Sequence, residues 1–197
     1  MIKIIDYKAG NAPSVLNAVN RLGYGASLVS SPADIADASH IILPGVGSAG
    51  ATMDSLHELG LVSALEDAVF SKKVPFLVIC VGMQILFEHS EEEDADCLAW
   101  LKGRVVKFDA SKVRVPQMGW NQVRFAKEAA IEVRDDYFYF VNSYYAIPEN
   151  SDNIWGVADY GAPFAAAACM GNIFGTQFHV EKSGEAGLAL LKSFINL

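Results

Sequence analysis

Residues 76–84 read Phe76-Leu-Val-Ile-Cys80-Val-Gly82-Met-Gln84, an apolar run that meets a cysteine and then a helical segment. Four consecutive apolar residues before Cys80 predict a strand that is covered on both faces. Gly82 lets the following turn pass close to neighbouring backbone. The pattern resembles a nucleophile elbow, in which the amino end of a helix stabilises a thiolate. The alternative is a cysteine that only fills buried space at a strand end.

Outward from this stretch, the first half of the chain alternates short apolar runs with helical periodicity. The alternation predicts an α/β fold with a mostly parallel sheet and helices on both faces. Gly60 is the weak point of the longest helical segment. The second half is richer in strands. Strands are predicted at 2–5, 26–29, 41–43, 76–79, 105–108, 122–125, 137–141, 154–157, 164–168 and 173–178, and helices at 15–22, 56–69, 83–87 and 186–195.

Composition limits the classes of function. The 197 residues, 52% hydrophobic and 19% charged, predict a single domain over 1–197. With a net charge of −8, the sequence does not have the excess of basic residues that nucleic-acid-binding proteins use, so nucleic acid is not an expected partner. No apolar run approaches the roughly 18–20 residues that cross a bilayer, and no signal-peptide pattern is present, so we expect a cytosolic protein without a membrane partner. Three cysteines without a Cys-x-x-Cys pair make a disulfide framework unexpected.

His179 is the histidine best placed to act as a base for Cys80. It ends the strand predicted at 173–178, and Glu181 follows two residues later. In extended chain both point to one side, so the carboxylate can hold the imidazole. The carboxyl ends of parallel strands share one edge of a sheet, which places Cys80 and His179 together. Two alternatives are that His179 and Glu181 are surface residues or that they belong to a metal site. A metal site is disfavoured because the sequence offers no third candidate ligand.

A glycine-rich turn, Pro44-Gly45-Val46-Gly47, follows the strand predicted at 41–43. Two glycines around one residue free the backbone to aim amide groups at a ligand, which suits an oxyanion hole. The composition is also common in turns. No Gly-Lys-Ser/Thr follows, so the turn is not a Walker phosphate loop. The acidic run at 91–96 is predicted to be a solvated loop.

These pieces, in this order, resemble the class I glutamine amidotransferases. The match narrows to the family of glutaminase subunits of imidazole glycerol phosphate synthase and covers essentially the whole chain. The Met-Gly-Trp-Asn and Glu-Lys-Ser pieces are the most specific. The matching motifs are Asp6-Tyr-Lys-Ala-Gly-Asn11, Pro44-Gly-Val-Gly47, Cys80-Val-Gly-Met-Gln84, Pro116-Gln-Met-Gly-Trp-Asn121, Tyr137-Phe-Tyr-Phe-Val-Asn-Ser-Tyr-Tyr145 and Gly175-Thr-Gln-Phe-His179-Val-Glu-Lys-Ser183.

The resemblance implies a flavodoxin-like, three-layer α/β/α sandwich that uses no metal or cofactor. It implies that Cys80 is the nucleophile, His179 the base and Glu181 the orienting acid in the hydrolysis of L-glutamine. The ammonia passes to a separate (β/α)8-barrel cyclase, the other half of a heterodimer, which makes imidazole glycerol phosphate and aminoimidazole carboxamide ribotide in histidine biosynthesis. By the same resemblance, the oxyanion region is the backbone of Val46, Gly47 and Val81, the glutamine site is Gln84, Ser143 and Tyr144, and the positions facing the cyclase are Asn11, Trp120, Asn121, Tyr139 and Lys182.

Several residues differ from those usual in this family. Val78 and Lys8 stand where glycine is usual, Val180 stands where proline is usual, and Gln117 and Asn142 stand where histidine is usual. These differences motivate two alternatives. One is a glutaminase that feeds a different synthase, such as one forming a sugar amidine. The other is a degenerate, non-catalytic module that binds a partner.

Overall fold

The computed structural model describes residues 1–8, 11–125 and 129–197, and positions Ala9 and Gly10 of the amino-terminal motif lie outside this part of the chain. None of the described helices is long and apolar enough to span a membrane. The helices are α1 (Ala12–Arg21), α2 (Pro32–Ile35), α3 (Ala49–Glu58), α4 (Leu61–Glu66), α5 (Val81–Gln84) and α6 (Gly184–Ile195). The strands are β1 (Ile2–Ile5), β2 (Ala26–Val29), β3 (His40–Leu43), β4 (Phe76–Ile79), β5 (His89–Ser90), β6 (Ala95–Asp96), β7 (Gly103–Lys107), β8 (Gln117–Phe125), β9 (Asp136–Asn142), β10 (Tyr144–Pro148), β11 (Ile154–Asp159), β12 (Pro163–Met170) and β13 (Ile173–Thr176).

A mixed sheet organises the fold, in the strand order β2-β1-β3-β4-β13-β12-β10-β7-β5-β6. The first five strands in this order are parallel. Strands β12, β10 and β7 continue the sheet with antiparallel pairing. Strands β1 and β4 are buried along their whole length, as their continuous apolar runs predicted. The hairpin of β8 and β9 joins the sheet through β11.

Helices cover the sheet on both faces. Helix α1 connects β1 to β2, whereas α3 and α4 connect β3 to β4, in the opposite direction along the sheet. Because such connections are right-handed, the two groups lie on opposite faces. Helix α6 packs beside α1, and α3 packs against α4 and α5. The predicted α/β/α sandwich is confirmed, and the order β2-β1-β3-β4 is that of the flavodoxin-like folds.

Several elements differ from the sequence prediction. The short elements α2, β5 and β6 were not predicted, α3 begins at Ala49 and not at 56, and β13 ends at Thr176 and not at 178. Helix α5 is a single turn that ends at Gln84, and residues 85–88 form turns and bends instead of the predicted helix. Strand β8 begins at Gln117 and not at 122. The prediction missed its first part because the apolar side chains of Met118 and Trp120 are exposed, whereas apolar strand residues usually face the core. Strand β10 was not predicted at all. The predicted break at Gly60 is confirmed by its φ of 64°.

Glycines let the turn after β3 pack directly onto the turn after β4. A Cβ added to Gly45 would collide with the amide nitrogen of Gly82 and would lie 2.8 Å from the carbonyl oxygen of Ile79. A Cβ added to Gly82 would lie 2.8 Å from the carbonyl oxygen of Leu43. Backbone therefore lies against backbone, and neither segment can move aside for a side chain.

Gly82 and Gly175 make room for Val78, which is fully buried on β4. A Cβ on Gly175 would lie 3.2 Å from Cγ2 of Val78, and a Cβ on Gly82 would lie 3.4 Å from its Cβ. The branched side chain of Val78 thus fills space that two neighbouring glycines leave open, and the strand and helix still approach closely.

We predict that Gly45→Ala lowers the free energy of unfolding by about 3 kcal/mol, because the added methyl group meets backbone that cannot give way. Urea denaturation measures the change. Gly25→Ala is the matched control, since no atom lies within 4 Å of a Cβ there, and its effect should stay within about 0.5 kcal/mol. Equal unfolding free energies for the two variants would contradict the packing described.

Candidate active site

Cys80 lies between β4 and α5 in a backbone conformation that residues other than glycine rarely adopt, with φ 56° and ψ −112°. Such conformations cost of order 1–3 kcal/mol and persist where the surrounding structure imposes them. The Cys80 N–H donates to the carbonyl oxygen of Thr176 at 2.7 Å, which ties the turn to β13. The side chain is buried. The predicted strand–turn–helix elbow is therefore present.

His179 follows β13 and hydrogen-bonds to the Cys80 side chain. Its Nδ1 lies 2.8 Å from Oε1 of Glu181, and the side-chain amide of Asn11 donates to the same oxygen at 2.8 Å. The imidazole and the carboxylate are both almost fully buried. The spacing predicted extended chain for both residues, but only His179 is extended, and Glu181 lies in the 3-10 turn Val180–Lys182 that follows it. The structure nevertheless brings the three predicted residues together.

Electrostatics favour a charged pair here. Burial lowers the pKa of His179, but hydrogen bonds and charge from Cys80 and Glu181 outweigh burial and raise that pKa to about 9. Burial raises the pKa of Glu181, and the contact with His179 reverses this, so the pKa of the carboxyl is lowered. An opposite charge within hydrogen-bond distance stabilises the ionised form of each partner. Imidazolium and carboxylate therefore stabilise one another.

A cavity of about 320 Å³ opens beside Cys80. Its volume is at the lower end of the range usual for small-molecule sites. Gly47 lines it with a φ of 93°. Val81 is the first residue of α5, so its amide has no intrahelical partner. The predicted oxyanion and glutamine-site residues all line this cavity with Cys80 and His179, namely Val46, Gly47, Val81, Gln84, Ser143 and Tyr144.

Gln177 contacts Cys80, and the sequence prediction missed it. Its Nε2 lies 3.7 Å from Sγ of Cys80, and its Oε1 accepts a hydrogen bond from Nε2 of Gln84 at 3.0 Å. The residue has no exposed surface. The available signal was a polar residue inside the apolar segment that leads to His179.

Glu92 also belongs to the cavity, which corrects the prediction for the acidic run. It lies in the 3-10 turn Glu92–Asp94, which folds back onto α3, and its Oε2 accepts the N–H of Ala49 at 3.0 Å. Burial raises the pKa of this carboxyl, while the bond from Ala49 partly offsets the rise. The expectation of a solvated loop is wrong for Glu92, because charge patterning does not reveal which acidic residue a tertiary contact draws inward.

The β8–β9 hairpin presents an exposed apolar face. Met118, Trp120 and Tyr137 are 67%, 57% and 55% exposed. Trp120 pairs with Tyr139 in the register of the hairpin, and the two rings meet edge to face with centroids 5.9 Å apart. Asn121 does not share this face, because its side chain donates to the backbone of β11 at 2.8 Å.

The other two positions predicted to face a cyclase lie close to the catalytic residues. Asn11 contacts Glu181, as described above, and Lys182 lines the cavity wall. Their role at an interface stays a prediction.

A larger cavity, of about 1270 Å³, lies between α6 and residues 129–136 and contains none of the predicted site residues. Within residues 1–8, 11–125 and 129–197, no three His, Cys, Asp or Glu side chains are grouped so that they could hold a metal ion.

Comparison with known proteins identifies the family. Residues 3–197 match the family model described as glutamine amidotransferase class-I. Imidazole glycerol phosphate synthase subunit HisH of Leptospira interrogans is 41% identical over 204 residues, with 100% of both chains covered. The HisH subunit of Neisseria meningitidis serogroup A is 42% identical over 98% of both chains. The chain belongs to the HisH family of class-I glutamine amidotransferases.

Solved structures of glutamine amidotransferases share the fold. A crystal structure of a glutamine amidotransferase has a TM-score of 0.79 at 15% identity, and PurLQS from Thermotoga maritima has a TM-score of 0.78 at 19% identity. Each comparison covers 99% of this chain and 97% of the other. At these identities the likeness shows the fold alone, and it agrees with the α/β sandwich described above.

The differences from residues usual in the HisH family have local explanations in part. Lys8 has a φ of 68°, which explains why glycine is favoured at that position. The imidazole–carboxylate contact forms with Val180 in place of proline. Gln117 and Asn142 pair across the hairpin, both are buried, and the side-chain oxygen of each has no hydrogen-bond partner among the described residues.

We predict that Glu181→Gln lowers the pKa of His179 from about 9 toward its usual value of 6.5, because the amide keeps the shape of the contact and removes the charge. An NMR titration of isotope-labelled histidine rings measures it. Glu185→Gln, at an exposed position on α6, is the matched control and should leave His179 unchanged. Identical His179 titrations in both variants would argue against the assigned contact.

The same shift predicts how stability depends on pH. The pKa of His179 is raised on folding, so its contribution is complete below pH 6.5 and is lost as the pH rises to about 9. The free energy of unfolding should therefore fall across that interval. Urea titrations at several pH values measure the slope, which should be shallower in Glu181→Gln than in the unaltered chain.

Proposed function

We propose that this chain is a glutaminase subunit of imidazole glycerol phosphate synthase, which hydrolyses L-glutamine to glutamate and ammonia in histidine biosynthesis. The main support is the buried Cys80, held in a strained turn, which faces a charged His179–Glu181 pair beside a small cavity. Membership of the HisH family supports the same function. In this proposal residues 1–197 act as one glutamine amidotransferase domain, without metal or cofactor.

The cavity wall offers groups that match the polar ends of glutamine. The carboxylate of Glu92 is the complement of the α-ammonium group. Both hydrogens of Gln84 Nε2 are used by Tyr144 and Gln177, so Oε1 is the atom of Gln84 that is left for substrate. Ser143 and Tyr144 complete the glutamine site. Bound in this way, glutamine places its carboxamide carbon next to the sulfur of Cys80.

The first half of the reaction releases ammonia. The Cys80 thiolate attacks the carboxamide carbon, and the negative charge moves onto the carboxamide oxygen. Backbone amides at Val46, Gly47 and Val81 stabilise this oxyanion. His179 is charged at neutral pH, since its pKa is raised to about 9. It gives its proton to the departing nitrogen, the C–N bond breaks, and a γ-glutamyl thioester remains on Cys80.

The second half regenerates the enzyme. The neutral His179 takes a proton from a water molecule, whose oxygen attacks the thioester carbon. The C–S bond breaks, the thiolate of Cys80 is restored and glutamate leaves. Glu181 keeps the Nδ1 nitrogen of the imidazole occupied throughout, so that Nε2 faces the reacting groups. One glutamine and one water thus give one glutamate and one ammonia.

The ammonia is used by a partner in this proposal. The exposed apolar face of the β8–β9 hairpin, made by Met118, Trp120, Tyr137 and Tyr139, is the surface on which a (β/α)8-barrel cyclase docks. Strand β9 also borders the cavity, since Val141 and Asn142 line it. Ammonia therefore leaves Cys80 close to the covered surface and enters the cyclase without release to solvent.

We predict that Cys80→Ala reduces glutamine hydrolysis by roughly a thousandfold or more, because no other cysteine among the described residues lines the cavity to form the thioester. Glutamate release by the chain in complex with its cyclase measures this. Cys97→Ala is the matched control and should keep full turnover, since burial raises the pKa of that thiol to about 11. Full turnover by Cys80→Ala would eliminate the proposed nucleophile.

We also predict that Trp120→Ala weakens cyclase binding roughly thirtyfold, as expected when an exposed aromatic anchor is removed from the centre of an interface. Titration calorimetry with the cyclase measures the affinity. Phe70→Ala is the matched control, because Phe70 is an exposed aromatic residue at the opposite edge of the sheet, before the amino end of β4. Equal affinities for the two variants would show that the cyclase does not dock on the hairpin.

A further inference from the structure

Three buried carboxamide side chains form a chain of hydrogen bonds that ends on the sulfur of Cys80. Nδ2 of Asn142 and Nε2 of Gln84 both donate to the carbonyl oxygen of Tyr144 at 3.0 Å. Nε2 of Gln84 also donates to Oε1 of Gln177 at 3.0 Å. Nε2 of Gln177 then lies 3.7 Å from Sγ of Cys80. The chain therefore joins a residue of the glutamine site to the nucleophile.

The orientation of each carboxamide follows from chemistry alone. A backbone carbonyl only accepts, so the Gln84 atom that faces Tyr144 must be nitrogen. That nitrogen also faces Gln177, and the Gln177 atom beside it must therefore be oxygen. The NH2 group of Gln177 is then left to point at the sulfur. The ambiguity between amide oxygen and nitrogen that usually affects glutamine side chains is removed here.

We propose that Gln177 is a positioning residue that donates a hydrogen bond to the thiolate of Cys80 and holds Gln84 with its oxygen toward the substrate. This inference rests on the proposed glutaminase function. A thiolate accepts a hydrogen bond better than a thiol, so a fixed donor favours the nucleophilic form. Gln177 does not line the cavity, so it acts through Cys80 and Gln84 and not on glutamine itself.

Several titratable groups share this environment. His179 hydrogen-bonds to the sulfur from the end of β13, and Tyr7, which follows β1, interacts with it electrostatically. Glu92 and Lys182 line the cavity. Gln177 differs from all of them because it carries no charge at any pH. Its donation to sulfur therefore does not depend on pH, and the Gln177→Met substitution changes the pH at which Cys80 reacts without adding a titratable group.

The test uses the full chain and two variants. In Gln177→Met the side chain keeps its length and loses both hydrogen bonds. In Gln177→Glu the side chain still accepts from Gln84 but no longer donates to sulfur. Alkylation of Cys80 by iodoacetamide is followed against pH by peptide mass spectrometry. Gln177→Met should react about tenfold more slowly at pH 7, with its midpoint moved to higher pH. Gln177→Glu should move the midpoint of the alkylation profile further toward high pH, because the substitution adds a negative charge near the sulfur.

Thr176→Val is the matched control. Thr176 is fully buried next to Gln177, and its hydroxyl donates to the carbonyl oxygen of Phe178 at 2.9 Å. The substitution removes a buried hydrogen bond without touching the carboxamide chain. It should lower the unfolding temperature and leave the pH profile of Cys80 alkylation unchanged.

Glutamine kinetics in the cyclase complex separate the two parts of the proposal. Gln177→Met should raise KM, because Gln84 loses its support, and should also lower kcat. Gln177→Glu should lower kcat with KM nearly unchanged. An unaltered alkylation profile in folded Gln177→Met overturns the proposal, as does an equal shift in Thr176→Val. Alkylation needs no turnover, so failure of the glutaminase assignment would appear separately, as the absence of glutamate release by the unaltered chain in complex with the cyclase.

Discussion

The parallel pairing of β4 with β13 is the contact on which the site depends. It aligns Ile79 with Thr176, so the chain segments that follow both strands emerge at the same edge of the sheet. Cys80 continues one segment, and Gln177 and His179 continue the other. The hydrogen bond from Cys80 N–H to Thr176 extends the pairing by one residue, into the strained turn itself. Two pieces of chain that are remote in sequence are held in this way within hydrogen-bond distance.

Close backbone packing is what makes this strain tolerable. The turn after β3 presses on the turn after β4 through Gly45 and Gly82, and neither position has space for a Cβ. The left-handed φ of Cys80 is therefore imposed by its surroundings, and its cost is met by the packing of a large core. Val78 belongs to the same arrangement, because its side chain fills the space that glycines on α5 and β13 leave free.

Strand β9 links the cavity to the exposed face of the hairpin. The carbonyl oxygen of Tyr139 accepts the N–H of His179 at 2.9 Å, while the ring of the same residue packs on Trp120. Three positions later, Asn142 joins the carboxamide chain that reaches Cys80. Because side chains alternate along the strand, Tyr139 packs on the exposed face and Asn142 points to the opposite face. A protein that docks on the hairpin touches the strand that holds the proposed base.

The sequence by itself determined the α/β class, the elbow at Cys80, the His179–Glu181 pair and the turn at 44–47, because each depends on neighbouring residues and on strand ends that share an edge. The tertiary structure alone decided the parts that depend on pairing between distant segments. In the sequence Glu92 is one of several acidic residues in a row, and only the turn that packs on α3 distinguishes it. Gln177 is a polar residue within an apolar segment, and only its hydrogen bond with Gln84 shows its role. Strand β10 and the start of β8 were likewise set by their partners, since cross-strand hydrogen bonds and not local hydrophobic pattern hold them in the sheet.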